Sequence, residues 1–419
     1  MQRFVIKGGK KLNGEIKVNG AKNAALKILA ACLLTEKEWT VSNVPQIEDI
    51  FRLIELLKGI GVDIKNDSKG VYRLRAKNIN GSLLNPEITQ KFKGSILMAG
   101  PLLARFGEAF LFQAGGCVIG QRPRDIFIEG FKAFGVKMKE EEKGLHLTAK
   151  KLKGTKFVFP LISVTATETM ILTAVLAEGK TILSNAACEP EIVFLANFLN
   201  ECGARIKGAG TPFIEINGVE LLNSGQCKII PDRIEAGSFV LLSAAANNPI
   251  KITGVEPNHL DVLWFLLKKA GVNLEIGKDF VKVKPPFKIK AVDLKTHEYP
   301  GFPTDLQAPF TVLMTQAKGT SLLHETIFEG RLFYTDALNQ MGAKIIMCDP
   351  HRVVVQGPTK LYGRRLISPD IRAGIALVTA SLIAEGESSI ENIYQIDRGY
   401  EKIEERFRKL GADIKRVNL

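Results

Sequence analysis

Histidine and tryptophan are scarce in this 419-residue chain, with five of the first, two of the second, and only 7% aromatics in all. No pair of those histidines forms an HExxH pattern, so zinc-hydrolase chemistry lacks its donor set. Sparse aromatics leave little to stack on bases. The basic surplus, 57 Lys+Arg against 44 Asp+Glu for a net +13, is therefore read as an attraction to small phosphorylated anions rather than to nucleic acid. The six cysteines (Cys32, Cys117, Cys188, Cys202, Cys227, Cys348) contain no CxxC or other close pair, which argues against a zinc site or a disulfide framework. Long apolar runs are missing too. Residues 96–104 and 239–246 are the densest, well short of the ~20 residues of a membrane helix. The opening MQRFVIKGGKKLNG lacks the apolar stretch of a signal peptide, so a cytoplasmic protein is expected. No GxGxxG precedes a helix. Gly179-Lys180-Thr181 resembles the end of a P-loop, but Ala174 stands where that loop needs glycine.

What is present is a repeat. The phrase apolar–Gly–Ala/Val–x–apolar recurs at Gly61, Gly135, Gly203, Gly271, Gly342 and Gly411, spaced by 74, 68, 68, 71 and 69 residues. Amphipathic stretches with apolar residues at three- and four-residue steps precede it, so each glycine is predicted to end a helix and lead into a strand. A second helix-ending phrase occurs at Gly179, Gly319 and Gly386, with degenerate forms at Gly107, Glu36 and Asn247. Each unit of about 70 residues then reads helix, strand, helix, strand, strand. Six units predict an α/β protein arranged as two domains of three, with chain crossovers near residues 20 and 230.

Anion sites in α/β units collect at helix N-termini. Fourteen residues before each first-helix terminator stand Lys22, Lys93, Thr165, Arg233, Asp305 and Arg372. Eleven to thirteen before the second-helix glycines stand Arg122, Glu191, His259, Arg331 and Arg398. A cation at a helix start opposes the macrodipole at about 0.3–1 kcal/mol. Solvated surface charge is the bland reading for any one of them, and a converging anion site is the reading for the set. The glycine-rich loop around Cys117, with Gly115, Gly116 and Gly120 ahead of Arg122 and Pro123, suggests a mobile lid whose thiol is activated by nearby positive charge.

With these motifs in view, the chain resembles the UDP-N-acetylglucosamine 1-carboxyvinyltransferases, the enolpyruvyl transferases that begin bacterial peptidoglycan synthesis. The resemblance is carried by Gly20-Ala21-Lys22-Asn23-Ala24-Ala25, the 115–123 loop and Pro231-Asp232-Arg233-Ile234-Glu235. Further carriers are Phe302-Pro303-Thr304-Asp305-Leu306-Gln307, Glu325-Thr326-Ile327-Phe328-Glu329 with Arg331, and Ile396-Asp397-Arg398-Gly399-Tyr400-Glu401. It implies a two-domain inside-out α/β barrel, pseudo-three-fold in each domain. The domains are expected at 1–20 plus 231–419 and at 21–230, the latter carrying the Cys117 loop and the two closing around substrate.

The implied activity is transfer of the enolpyruvyl group of phosphoenolpyruvate to the 3′-hydroxyl of UDP-N-acetylglucosamine, with release of phosphate and no metal or organic cofactor. Lys22, Asn23, Arg122, Arg398 and Cys117 are implied to hold phosphoenolpyruvate, with Cys117 as acid or covalent nucleophile and Asp305 taking the sugar proton. Arg331 and Arg372 complete the basic pocket. Asn23, Lys93, Arg122, Pro123, Arg124, Asp125, Ile126, Ser163, Val164, Thr165, Asp305 and Ile327 are implied for the nucleotide sugar. The resemblance further implies a role in cell division and cell shape, and sensitivity to fosfomycin. A monomer without membrane or nucleic-acid partners is expected. Departures from the family pattern are Lys93 for Arg, Leu161 for Lys and Thr165 for Gly, all near the expected diphosphate contacts. The competing readings are a shikimate-phosphate enolpyruvyl transferase and a non-catalytic basic repeat protein that binds nucleic acid.

Overall fold

The computed structural model describes residues 2–80, 96–112, 125–142 and 144–418. The helices, in chain order, are α1 (Lys22–Ala31), α2 (Glu48–Gly59), α3 (Ile96–Phe106), α4 (Asp125–Ala133), α5 (Val164–Ala174), α6 (Pro190–Glu201) and α7 (Arg233–Ala245). They continue as α8 (Asp261–Lys269), α9 (Gln307–Thr315), α10 (Thr335–Gln340), α11 (Ile371–Ile383), α12 (Tyr394–Asp397) and α13 (Ile403–Lys409). All six predicted helix-ending glycines have positive φ, from +85° at Gly271 to +105° at Gly342, where a side chain would be strained.

First and second helices differ in the way their composition dictates. First helices are apolar nearly all round: every residue of α7 is buried, as is every residue of α5 from Ala166 onward. Such helices belong inside, and α3 packs on α5 while α9 packs on α7 and α11. Second helices are two-faced. In α2, Ile50, Leu53, Ile54 and Leu57 are buried, while Arg52 and Glu55 pair on the outer face.

Sheets complete each repeat. In the third, Lys180–Ser184 lies between Phe213–Asn217, antiparallel, and the short Lys156–Val158, parallel, so that Leu183 faces Ile214 on one side and Phe157 on the other. That short parallel strand ahead of the first helix was not expected from the sequence. Equivalents are Gly14–Lys17, Gly225–Lys228, Leu294–Lys295 and Arg365–Ile367. Gly225–Lys228 pairs with Trp39–Ser42, and Gly14–Lys17 with Ile250–Thr253, so the first and fourth sheets each take an opening strand from elsewhere in the chain. The sixth sheet is completed by Gln2–Lys7, which lies between Glu387–Glu391 and Asp413–Asn418.

Two compact units result. One comprises residues 2–19 and 231–418, the other the described residues of 20–230, each with its own hydrophobic cluster. Gly20 belongs to the second unit: a Cβ there would run into the Asn43 carbonyl. No helix among the described residues is long and apolar enough to cross a membrane.

Candidate functional site

In the unit formed by residues 2–19 and 231–418, three turns bring opposite charges together. Asp305 stands in the short 3-10 turn Thr304–Leu306 just ahead of α9. Its Oδ1 accepts from Arg331 Nη1 at 2.8 Å, and its Oδ2 accepts from Arg372 Nε at 2.9 Å, with Arg372 Nη2 also 2.9 Å away. Both arginines are only 6% exposed. Burial opposes the charge of Arg372, but Asp305 and its neighbours more than offset that, and the guanidinium is held above its ordinary pKa.

Carboxylates also finish the helix starts. Asp232 caps α7 by accepting from Ile234 and Glu235 N–H groups, and Asp370 caps α11 by accepting from Arg372 and Ala373. The cations at these starts are therefore locally compensated, a correction to the macrodipole cost expected from sequence. Arg331 stands four residues before α10, outside the helix. Arg398 is the C-cap of α12, the end that favours a cation, and it donates to Gln395 Oε1 at 2.9 Å. The second helix of this repeat is broken into α12 and α13, which moved Arg398 from a start to an end. Ile327, half-buried, has its N–H taken by Glu325 Oε1 at 2.8 Å, and Thr304 Oγ1 donates to the other oxygen of that buried carboxylate.

In the unit of residues 20–230, Lys22 opens α1 and its Nζ lies 2.7 Å from Asp49 Oδ2, with both groups buried. Asp49 was missed by the sequence reading, although the signal existed. It stands twelve residues before Gly61, in the slot that holds Glu191 and His259 in other repeats. Lys22–Asp49 and Asp305–Arg331 are thus the same intra-repeat contact with the signs reversed. Deeper in the unit, Lys27 Nζ is 3.2 Å from Glu168 Oε2, and burial pushes the Glu168 carboxyl up to about 8 against the pull of Lys27.

Asn23 follows Lys22 in the first turn of α1 and is half-buried. Ser163 caps α5 by accepting from the Ala166 N–H at 3.3 Å, and Val164 and Thr165 form its first turn, half-buried, with Leu161 exposed beside them. Asp125 begins α4 on the surface, whereas the Ile126 side chain is core, so only its backbone is available to a ligand. Lys93, Cys117, Arg122, Pro123 and Arg124 lie outside the described residues. The bland reading, surface charges in water, fails for Lys22, Arg233, Arg331 and Arg372, all of which are buried. Among the described residues, the geometry offers a buried ion-paired cluster at helix-opening turns in each unit. Buried cations of this kind are suited to anions, and the Asp305 carboxylate is held in a fixed orientation.

Comparison with known proteins gives this arrangement a context. The sequence model described as EPSP synthase (3-phosphoshikimate 1-carboxyvinyltransferase) matches residues 6–407. The chain is 42% identical to a UDP-N-acetylglucosamine 1-carboxyvinyltransferase of Desulforapulum autotrophicum, covering all of both chains. It is 43% identical to a UDP-N-acetylglucosamine 1-carboxyvinyltransferase 1 of Carboxydothermus hydrogenoformans, covering all of this chain and 99% of the relative. Among solved structures, it resembles the enolpyruvyl transferase NikO of Streptomyces tendae with a TM-score of 0.89 at 24% identity, over 100% of this chain and 99% of that one. EPSP synthase of Acinetobacter baumannii is similar in fold, with a TM-score of 0.77 at 19% identity over the whole of both chains.

Proposed function

The chain belongs to the EPSP synthase family, and from that premise we propose that it transfers the enolpyruvyl group of phosphoenolpyruvate to the 3′-hydroxyl of UDP-N-acetylglucosamine, releasing phosphate. The observation that carries this reading is 42–43% identity over full length to relatives bearing that activity in their names, against 19% to EPSP synthase of Acinetobacter baumannii. We read each unit as an inside-out α/β barrel of three repeats, first helices within and sheets outside, and the two units as the two domains, with Gly20 in the second rather than in the first as expected from the sequence. Action in the cytoplasm as a monomer, at the start of peptidoglycan synthesis and so in cell division and cell shape, belongs to the same reading.

The chemistry assigns the roles. An enol ether forms when the phosphoenolpyruvate methylene carbon gains a proton and the sugar oxygen attacks the neighbouring carbon, giving a tetrahedral intermediate. Loss of phosphate and of one methyl proton then restores the double bond. Such a path needs an acid, a base and fixed cations. Lys22, Arg122 and Arg398 are proposed for the phosphoenolpyruvate anion, each charge-assisted contact contributing roughly 1.5–3 kcal/mol. Cys117 is proposed as the acid. Asp305 takes the sugar proton, and Arg331 and Arg372 keep its carboxylate oriented. Proton removal accompanies C–O bond formation in this reading, when the hydroxyl becomes more acidic. Asn23, Lys93, Pro123, Arg124, Asp125, Ile126, Ser163, Val164, Thr165 and Ile327 are assigned to the nucleotide sugar, Ile126 through its backbone. With Leu161 exposed in place of a lysine, Arg124 is proposed to supply diphosphate charge.

The test is phosphate release from phosphoenolpyruvate with UDP-N-acetylglucosamine, with shikimate 3-phosphate, and with neither. Turnover only in the first arm supports the reading, and turnover only in the second replaces it with the shikimate-phosphate activity.

A further inference from the structure

Beneath the Asp305 cluster runs a buried polar chain that links all three repeats of its unit. Ser238, on α7, donates its hydroxyl hydrogen to the Ile234 carbonyl at 2.8 Å. Its lone pairs are then what it presents to the Tyr400 hydroxyl, 3.0 Å away, so Tyr400 donates to Ser238. With its hydrogen directed there, the Tyr400 oxygen is free to accept, and Arg372 Nη1 donates to it at 3.4 Å. The opposite edge of the same guanidinium, Nε and Nη2, grips Asp305 Oδ2. Ser238 and Tyr400 are each 1% exposed. Burial pushes the Tyr400 phenol up to about 12, so it stays a neutral acceptor throughout the working pH range. Its ring also lies under the guanidinium, 5.9 Å from Arg372 Cζ to the ring centroid. A planar guanidinium held at two edges cannot rotate, and its fork fixes the carboxylate it holds.

We infer that Tyr400 is a positioning residue, acting through Arg372 to set the orientation of the Asp305 carboxylate; this rests on the assignment of Asp305 as the base. Neither Tyr400 nor Ser238 touches substrate in this account. Their removal therefore acts on the proton-transfer step and leaves substrate affinity alone.

The experiment uses Tyr400→Phe, which keeps the ring and deletes the hydroxyl, with Ser238→Ala and the double variant of the full chain. At 3.4 Å the contact is at the long end for a charge-assisted bond, so kcat for phosphate release is expected to fall about tenfold in Tyr400→Phe, with KM for each substrate within about twofold. Ser238→Ala leaves the Tyr400 hydroxyl free to turn away and falls in the same direction by less, without disturbing the ring. The double variant falls no further than Tyr400→Phe, because both act through one contact. Unchanged kcat, a loss carried by KM, or losses that multiply would overturn the inference. A crystal structure of Tyr400→Phe reads the same point without turnover. An Arg372–Asp305 contact that is lengthened or rotated supports the inference, and one that is unmoved refutes it. Failure of the unsubstituted protein to turn over at all would refute the proposed activity instead.

Discussion

Replacing Asp305 with alanine removes one carboxylate and leaves two buried guanidiniums facing each other. In the intact protein that carboxylate accepts from Arg331 and Arg372, and its own side chain is 25% exposed. Breaking a buried ion pair by deleting one partner costs about 3–5 kcal/mol, and the partial exposure of Asp305 argues for the low end, about 3 kcal/mol. For a unit of some 200 residues this lowers Tm by roughly 10 °C. Removing Arg331 as well relieves the repulsion, so Asp305→Ala with Arg331→Met is expected to melt above Asp305→Ala alone. Asp305→Asn separates stability from chemistry. It retains an oxygen for one guanidinium, so it melts above the alanine variant, yet it cannot take a proton and loses about 10²–10⁴ in kcat. Calorimetry and phosphate release on the four proteins check this. An Asp305→Ala protein that melts like the parent, or an asparagine variant with ordinary turnover, would refute the reasoning.

Three further outcomes follow from the same physics. Burial raises Glu168 from 4.5 to about 8, so the folded protein keeps a proton that the unfolded chain releases; stability is full below about 4.5 and declines as pH rises to about 8. Glu168→Gln removes that proton linkage, and Tm measured from pH 5 to 8 should slope less than in the parent; an identical slope would contradict the burial argument. Fosfomycin is expected to inactivate the enzyme through Cys117, and Cys117→Asp to retain turnover while resisting the drug; a dead aspartate variant would mean the sulfur forms an obligatory adduct. Asn185 holds φ +58° and donates to the Phe159 carbonyl at 2.9 Å, tying the strand end to the short parallel strand. Asn185→Gly keeps that backbone and should cost about 1 kcal/mol by denaturant melt, whereas Asn185→Val adds the left-handed penalty of about 1–2 kcal/mol; equal losses would show that the conformation is not what the asparagine supplies.

The repeat was legible because its terminators are chemical necessities: six glycines at positive φ mark six helix ends. The short parallel strands were not, since two to four residues carry no alternation to read. Nor could local pattern reveal that Gly14–Lys17 and Gly225–Lys228 enter sheets far along the chain. Their anchors left a faint signal in Asn43, Asn185 and Asn392, all left-handed and all donating to the end of the opening segment. At the site, counting back from the helix terminators found Lys22, Asp305, Arg331 and Arg372, because the turn that opens a helix lies at a nearly constant distance from the helix end. The count was not carried to the first repeat, where Asp49 stands twelve residues before Gly61, and so passed over the carboxylate in contact with Lys22. Tyr400 lay in a quoted motif, but burial and contacts through Arg372 are three-dimensional facts with no sequence period.

Phosphate release from phosphoenolpyruvate measures the proposed chemistry of Asp305 most directly. With UDP-N-acetylglucosamine present the protein should release phosphate, and with Asp305→Asn that release should collapse while the fold survives. Release that ignores the nucleotide sugar, or that survives the loss of the Asp305 carboxylate, would contradict it.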